Sequence, residues 1–461
     1  MGATSPLLPA AAQARPDADS SESAARTALR ARAAEASAGI LERLSDPVAT
    51  MAATRIPAAA ADDGVGEPVW AELTLGSGSP GLALALYGSH PRVEGQAARA
   101  HAYLGLGTRA AASGSIVPSG IFKGPGALAF AVLAGHRATG GYVSALRNLD
   151  AYQRDVVRTV LPPVDDAPLT TIGTYEVVRG LTGVGRYLLA RAEECGEALE
   201  SVLGYLTRLA RGTVEHRGHQ VPRWWALDAP RVGAEASMPG GHLNLGISHG
   251  VAGPLALLSL AWLQGVRVPG QQEAAEEIAA LLTHWTVRDE HGPYWPGYLG
   301  FEQWRAGPEA YSEPAGWPSW CYGAPGVSRA LQLAGLAFGR PDLTSLAGES
   351  AGRLAAVPLA DWGTHDHALC HGWAGVLHQL GRMNEEFGDP ALDRVRDRVA
   401  AVLVDAYDPD VPFGHRFTMT RAEYGSDVSG YLDGAAGVAL ALDAYAAQGV
   451  TQDWDMPLLL A

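Results

Sequence analysis

The feature that most constrains this fold is a short glycine pattern that comes back seven times: one residue, Gly, two residues, Gly, then an apolar run. The copies read Ser77-Gly78-Ser79-Pro80-Gly81, Lys123-Gly124-Pro125-Gly126, Arg179-Gly180-Leu181-Thr182-Gly183, His249-Gly250-Val251-Ala252-Gly253, Tyr322-Gly323-Ala324-Pro325-Gly326, His371-Gly372-Trp373-Ala374-Gly375 and Asp433-Gly434-Ala435-Ala436-Gly437, the second being one residue shorter. They lie roughly 45 to 73 residues apart, enough for a helical hairpin with its loops. The runs that follow, such as Leu82-Ala83-Leu84-Ala85-Leu86 and Val438-Ala439-Leu440-Ala441-Leu442, are apolar on nearly every side, as helices buried all round must be. The pattern predicts an all-α fold, an α/α-barrel (toroid) of about seven helical-hairpin repeats, with these runs as the inner layer. Its Gly-rich loops should gather at one end, where residues without a Cβ let backbones approach closely and leave the first N–H groups of each inner helix free.

Length alone would suggest two or three domains, but a closed repeat barrel is one. The expected division is a flexible Ala/Ser/Pro-rich tail over 1–38, with helical character near Ala24–Ala38, followed by a single barrel domain over 39–461. A small β or loop excursion is expected over 212–241, where Gln220-Val221-Pro222-Arg223-Trp224-Trp225 is extended in character and stands just before His249. An apolar fraction of 47% supplies ample core, and a net charge of −15 argues against a nucleic-acid surface. Neither a signal peptide nor 18 continuous apolar residues is evident, so no membrane span is expected. Three cysteines make no disulfide framework, and the expected compartment is the reducing cytoplasm.

Two of those cysteines sit beside the repeat, in Trp320-Cys321-Tyr322-Gly323 and Cys370-His371-Gly372. Cys321, Cys370 and His371 make a three-ligand zinc set, and zinc with three protein ligands keeps a fourth position open, as catalytic sites do. The competing reading of Cys321 is a buried structural thiol. The third cysteine, Cys195, lies in a polar stretch.

Over roughly residues 70 to 445 the chain resembles the lanthionine synthetase C-like cyclases. The most specific elements are Gly246-Ile247-Ser248-His249-Gly250, Trp320-Cys321-Tyr322-Gly323-Ala324-Pro325-Gly326 and Cys370-His371-Gly372-Trp373-Ala374-Gly375, in the family's order and separation. The resemblance implies an α/α-barrel with one zinc ion per chain on Cys321, Cys370 and His371. It also implies a stand-alone lanthipeptide cyclase that adds peptide Cys thiolates to dehydroalanine or dehydrobutyrine, forming thioether rings in a dehydrated precursor peptide. A separate dehydratase and a transporter would be its partners. Zinc deprotonates a coordinated thiol, and the matching histidine, His249, takes the acid–base role.

Around this set, Glu176 stands where relatives commonly carry Asp, and it is a candidate to orient His249. Its bland alternative is a helix-start glutamate favoured by the macrodipole. Tyr322 is a candidate donor to the enolate oxygen or a packing group for the substrate. For His249 the alternatives are a core histidine or a fourth ligand. One departure matters: relatives often have arginine four residues before the first zinc cysteine, whereas this chain has Trp317, so that role falls to another residue, such as Arg305 or Arg179, or is absent. His365 and His367 read as solvated loop residues, His378 as packed, Asp433 as structural or cavity-lining, and Asn244 as a turn or substrate-backbone contact. Two other functions fit the same residues: addition of a small thiol such as glutathione to dehydro residues, and a non-catalytic peptide-binding scaffold.

Overall fold

The computed structural model describes residues 16–55, 69–90, 95–114, 120–162, 169–229, 238–418 and 425–461. Seven inner helices follow the seven glycine patterns: Ser79–Gly88, Pro125–Thr139, Leu181–Ala190, Ala252–Leu263, Ala324–Phe338, Trp373–Phe387 and Ala435–Ala447. Each packs on the next, and the last packs back on the first, so the inner layer is a closed ring. Their apolar runs are buried on all sides; every residue of Ser79–Gly88 is buried. Each inner helix has an outer partner with one apolar face. Val143–Val160, for example, turns Leu146, Leu149, Gln153, Val156 and Val157 inward, while Arg147 and Arg158 stay exposed.

A Cβ on the second glycine of each repeat would collide with the carbonyl oxygen six residues earlier: Gly81 with Leu75, Gly126 with Gly120, Gly183 with Val177, Gly253 with Ile247, Gly326 with Trp320, Gly375 with Leu369, and Gly437 with Tyr431. This recurring close approach explains why the repeat keeps a residue without a Cβ at that place.

The loops themselves form a belt. Leu75 donates its N–H to Phe122, Phe122 to Val178, Val177 to Ser248, Ser248 to Cys321, Cys321 to Cys370, Cys370 to Leu432, and Leu432 to Gly76, through backbone hydrogen bonds of 2.9–3.4 Å. The circle closes on itself. It satisfies backbone groups that loops at a barrel mouth would otherwise leave unpaired, and it sets equivalent residues of neighbouring repeats side by side.

The flexible tail expected over 1–38 is a helix from Pro16 to Arg43, and residues 1–15 lie outside the described part. The helix is the outer partner of Ala435–Ala447. Ala33, Ala36, Ile40, Leu41 and Leu44 are buried, and the Ser37 hydroxyl donates to the Ala439 carbonyl at 2.8 Å. Small side chains hid this contact in the sequence, because two alanine-rich helices pack closely with few large apolar groups. The segment 212–241 contains an antiparallel hairpin, Thr213–His216 with His219–Pro222, while 230–237 lie outside the described residues.

The inside of the ring is occupied by residues 454–460, all buried. Trp320 Nε1 donates to the Leu458 carbonyl, Arg329 Nε to Leu460 and Arg186 Nη2 to Ala461, at 2.9, 2.9 and 2.7 Å. His378 Nε2 and Arg382 Nε each lie 2.7 Å from Asp455 Oδ2, so His378 is packed, as expected, but on a charged partner. Burial pushes the Asp455 carboxyl up, and His378 and Arg382 overcome that push to hold it far below the usual carboxylate range. Asp455→Ala is expected to cost about 3–5 kcal/mol, because it removes the fully buried carboxylate that both His378 and Arg382 bond and leaves Arg382 only the exposed Glu385; urea unfolding measures this. A depressed folded pKa gives stability that is present above the unfolded value of about 3.9 and lost as pH falls below it. His378, whose pKa burial lowers, adds a further decline starting near pH 6.5, where the unfolded chain takes up a proton that the folded one refuses. Wild-type stability should therefore drop from about pH 6.5 downward, and the variant should keep the His378 decline but lack the further loss below about pH 3.9 that Asp455 supplies.

Candidate metal centre and its surroundings

The belt explains how thiols 49 positions apart meet, since 370 − 321 = 49. Cys321 and Cys370 hold the same place in adjacent loops, and the Cys321 N–H donates to the Cys370 carbonyl at 3.1 Å. His371 follows directly. One donor atom from each of Cys321, Cys370 and His371 lies within 4.8 Å of the others, a group that could hold a metal ion. The donors fit one: two sulfurs and an imidazole suit a borderline-soft cation, and His371 Nε2 is buried with no hydrogen-bond partner among the described residues. Hydrogen bonding to Cys370, helped by His371, holds the Cys321 thiol well below its ordinary pKa despite burial. Ser319 Oγ lies 3.6 Å from Cys321 Sγ and Ser248 Oγ donates to the Cys321 carbonyl at 3.2 Å; neither serine was given a role from the sequence, Ser319 because a lone serine two residues from a cysteine carries no recognisable pattern, and Ser248 because its partner is 73 residues away.

In the neighbouring loop, His249 Nδ1 lies 2.5 Å from Glu176 Oε2. Glu176 is fully buried, and its carboxylate also accepts the backbone N–H groups of Val178, at 2.9 Å, and Arg179. An acid so anchored holds Nδ1 in place, and the His249 side chain remains 29% exposed. The rings of His249 and Tyr322 are 6.2 Å apart. Asn244 Nδ2 donates to the Tyr322 hydroxyl at 3.0 Å, and Asn244 Oδ1 accepts the Gly246 N–H. Burial raises the Tyr322 pKa well above that of a free phenol, which keeps its proton in place as a donor.

Trp317 is 51% exposed. Of the two substitutes named for the absent arginine, Arg305 is paired on its own helix with Glu302 at 2.6 Å, whereas Arg179 Nε stands 3.9 Å from Glu176 Oε1. His365 is exposed, but His367 is not simply solvated. It packs edge-on against buried His415 at 4.9 Å and touches the Arg416 carbonyl. Asp433 is exposed in the seventh repeat.

Residues 69–459 match the family described as lanthionine synthetase C-like protein. The nisin biosynthesis protein NisC of Lactococcus lactis subsp. lactis is 22% identical over 396 residues, 84% of this chain and 89% of that one. The solved structure of nisin cyclase superposes with a TM-score of 0.71 at 19% identity, covering 84% of this chain and 92% of that one, so the two share a fold. Among the described residues no helix is long and apolar enough to cross a membrane.

Proposed function

Because the chain belongs to the lanthionine synthetase C-like family, we propose that it is a zinc-dependent lanthipeptide cyclase, closing thioether rings in a precursor peptide whose Ser and Thr have already been dehydrated. The observation that carries this reading is the grouping of Cys321, Cys370 and His371 on a belt whose next loop presents the His249–Glu176 pair. Cys321, Cys370 and His371 would hold one zinc ion, which supplies a substrate cysteine as its thiolate.

The chain's own groups account for the protons. A thiolate adding to Cβ of a dehydro residue forms the C–S bond and pushes the C=C pair onto Cα and the neighbouring carbonyl, and Cα must then gain a proton. His249, with Nδ1 held by Glu176, takes the thiol proton at Nε2 and returns one to Cα. Glu176 fixes the ring's tautomer and steadies the imidazolium formed between these two transfers. The Tyr322 hydroxyl, steered by Asn244, is placed to donate to the enolate oxygen. The reaction consumes dehydro residues, so a separate dehydratase must act first, and a transporter is the natural recipient of the product.

Ring closure is an isomerisation. With a dehydrated precursor, peptide mass should stay constant while its cysteines become resistant to alkylating reagents. A mass gain equal to an added glutathione, with cysteines still alkylatable, would make the protein a small-thiol transferase. Reactive cysteines with no adduct, in the presence of bound metal, would leave only a scaffold.

A further inference from the structure

Away from the glycine-rich loops, the far ends of the last two inner helices and the first outer helix, Pro16–Arg43, enclose a cavity of about 260 Å³. Its charged lining divides into pairs and a remainder. Arg382 is neutralised by Asp455 and, at 3.2 Å, by Glu385. Arg396 Nη1 meets Asp393 at 3.2 Å. Arg30 makes no hydrogen bond or ion pair among the described residues. The nearby Asp397 does not serve it, because that carboxylate already receives the Tyr445 hydroxyl and Arg26, at 2.7 and 2.6 Å. Yet Arg30 is not a loose surface side chain. Its Nε is packed out of contact with water and has no hydrogen-bond partner among the described residues, as is true of Arg396 Nε, and both guanidinium groups lie 5.9 Å from the centre of the same Tyr445 ring. The Arg396 guanidinium fills the space that a side chain at Gly381 would need.

Two guanidinium groups held against one aromatic ring, one of them without a counter-charge, at the wall of a polar cavity, form a pre-organised receptor for an anion. We propose that this cavity binds a phosphate group between Arg30 and Arg396, as inorganic phosphate or as a phosphomonoester. A tetrahedral oxyanion offers acceptors in several directions, which suits donors arriving from two helices, and the volume leaves room for an organic substituent. Glu385 and Asp393 line the same space and are paired with Arg382 and Arg396; since Arg382 also meets Asp455, acids and arginines balance in number, and what Arg30 offers the anion is N–H donors that no carboxylate among the described residues occupies rather than a surplus of charge. Arg30 comes from the first outer helix and Arg396 from Pro390–Asp405, so the bound anion ties the N-terminal helix to the end of the ring it closes.

Titration calorimetry and thermal unfolding of the full chain, in phosphate and in glycerol 3-phosphate against chloride at matched ionic strength, test this. The expected result is saturable heat and a Tm rise of roughly 2–3 °C at about a hundred times Kd. Arg30→Met and Arg396→Met should each weaken binding at least about tenfold, the loss of one charge-assisted contact, while Arg394→Met, on the exposed face of the same helix, should bind as wild type. Response to glycerol 3-phosphate alone assigns the site to an organic phosphate, and equal response assigns it to the free ion. Absence of heat with both probes on the wild-type protein, a measurement that needs no variant to fold, overturns the proposal. So does an Arg30→Met protein that binds like wild type.

Discussion

Replacing His249 with alanine is expected to slow ring closure by about 10²–10⁴-fold, the usual worth of a general acid–base group, while leaving the metal content unchanged. The separation of the two effects follows from geometry. His249 Nδ1 is committed to Glu176 at 2.5 Å and His249 is not one of the three grouped donors. Glu176→Gln keeps the shape but removes the charge that steadies the imidazolium, and a loss of about 10–100-fold is expected, the range found when a partner that orients a functional histidine is removed. Cyclisation followed by cysteine alkylation, with elemental analysis of the same samples, reads both quantities. Metal lost from His249→Ala would make His249 a ligand, and unchanged cyclisation would leave it a packing residue.

The other large effect is expected at the donors. Cys321→Ala or Cys370→Ala should bind little zinc after purification and lose cyclisation nearly completely, because two ligands cannot hold the ion against solvent and the substrate thiol then keeps its ordinary pKa of about 8.5. Wild-type protein grown with zinc should carry one ion per chain. Lowering the pH should release it, since both thiols and the imidazole must be deprotonated to bind. Near-zero metal in the wild-type protein would sink the site. Full metal in either cysteine variant would do the same for that ligand.

These experiments address residues that differ in how readable they were. Cys321, Cys370 and His371 stood out because thiols are scarce in this chain and each lies beside a repeated glycine motif. Glu176 and His249 are 73 residues apart, and their pairing was suggested by the resemblance to relatives that commonly carry Asp at the place of Glu176. Asn244 read as a turn residue or a substrate contact, and it does brace a turn through Gly246 N–H. Its grip on the Tyr322 hydroxyl depends on how a short strand pairing, His242–Asn244 with Tyr298–Gly300, lies against the fifth loop, which no local pattern encodes. The reading of His367 went astray because its partner, His415, comes from a segment 48 residues away; His378 is packed as read, but the charged group it packs on, Asp455, lies 77 residues away and could not be named.

Residue type and spacing along the chain were enough to read the repeat, the burial of the inner helices and the scarce thiols and imidazole set beside it. Only the tertiary structure decided that seven loops join in one closed hydrogen-bonded belt, that the helix Pro16–Arg43 completes the outer layer, and that residues 454–460 fill the inside. Those outcomes rest on contacts between segments as much as 402 residues apart, such as Ser37 with Ala439. Alanine-on-alanine packing and backbone-to-backbone bonding leave almost no side-chain signature, so such contacts are settled by closing the ring rather than by any single stretch of residues.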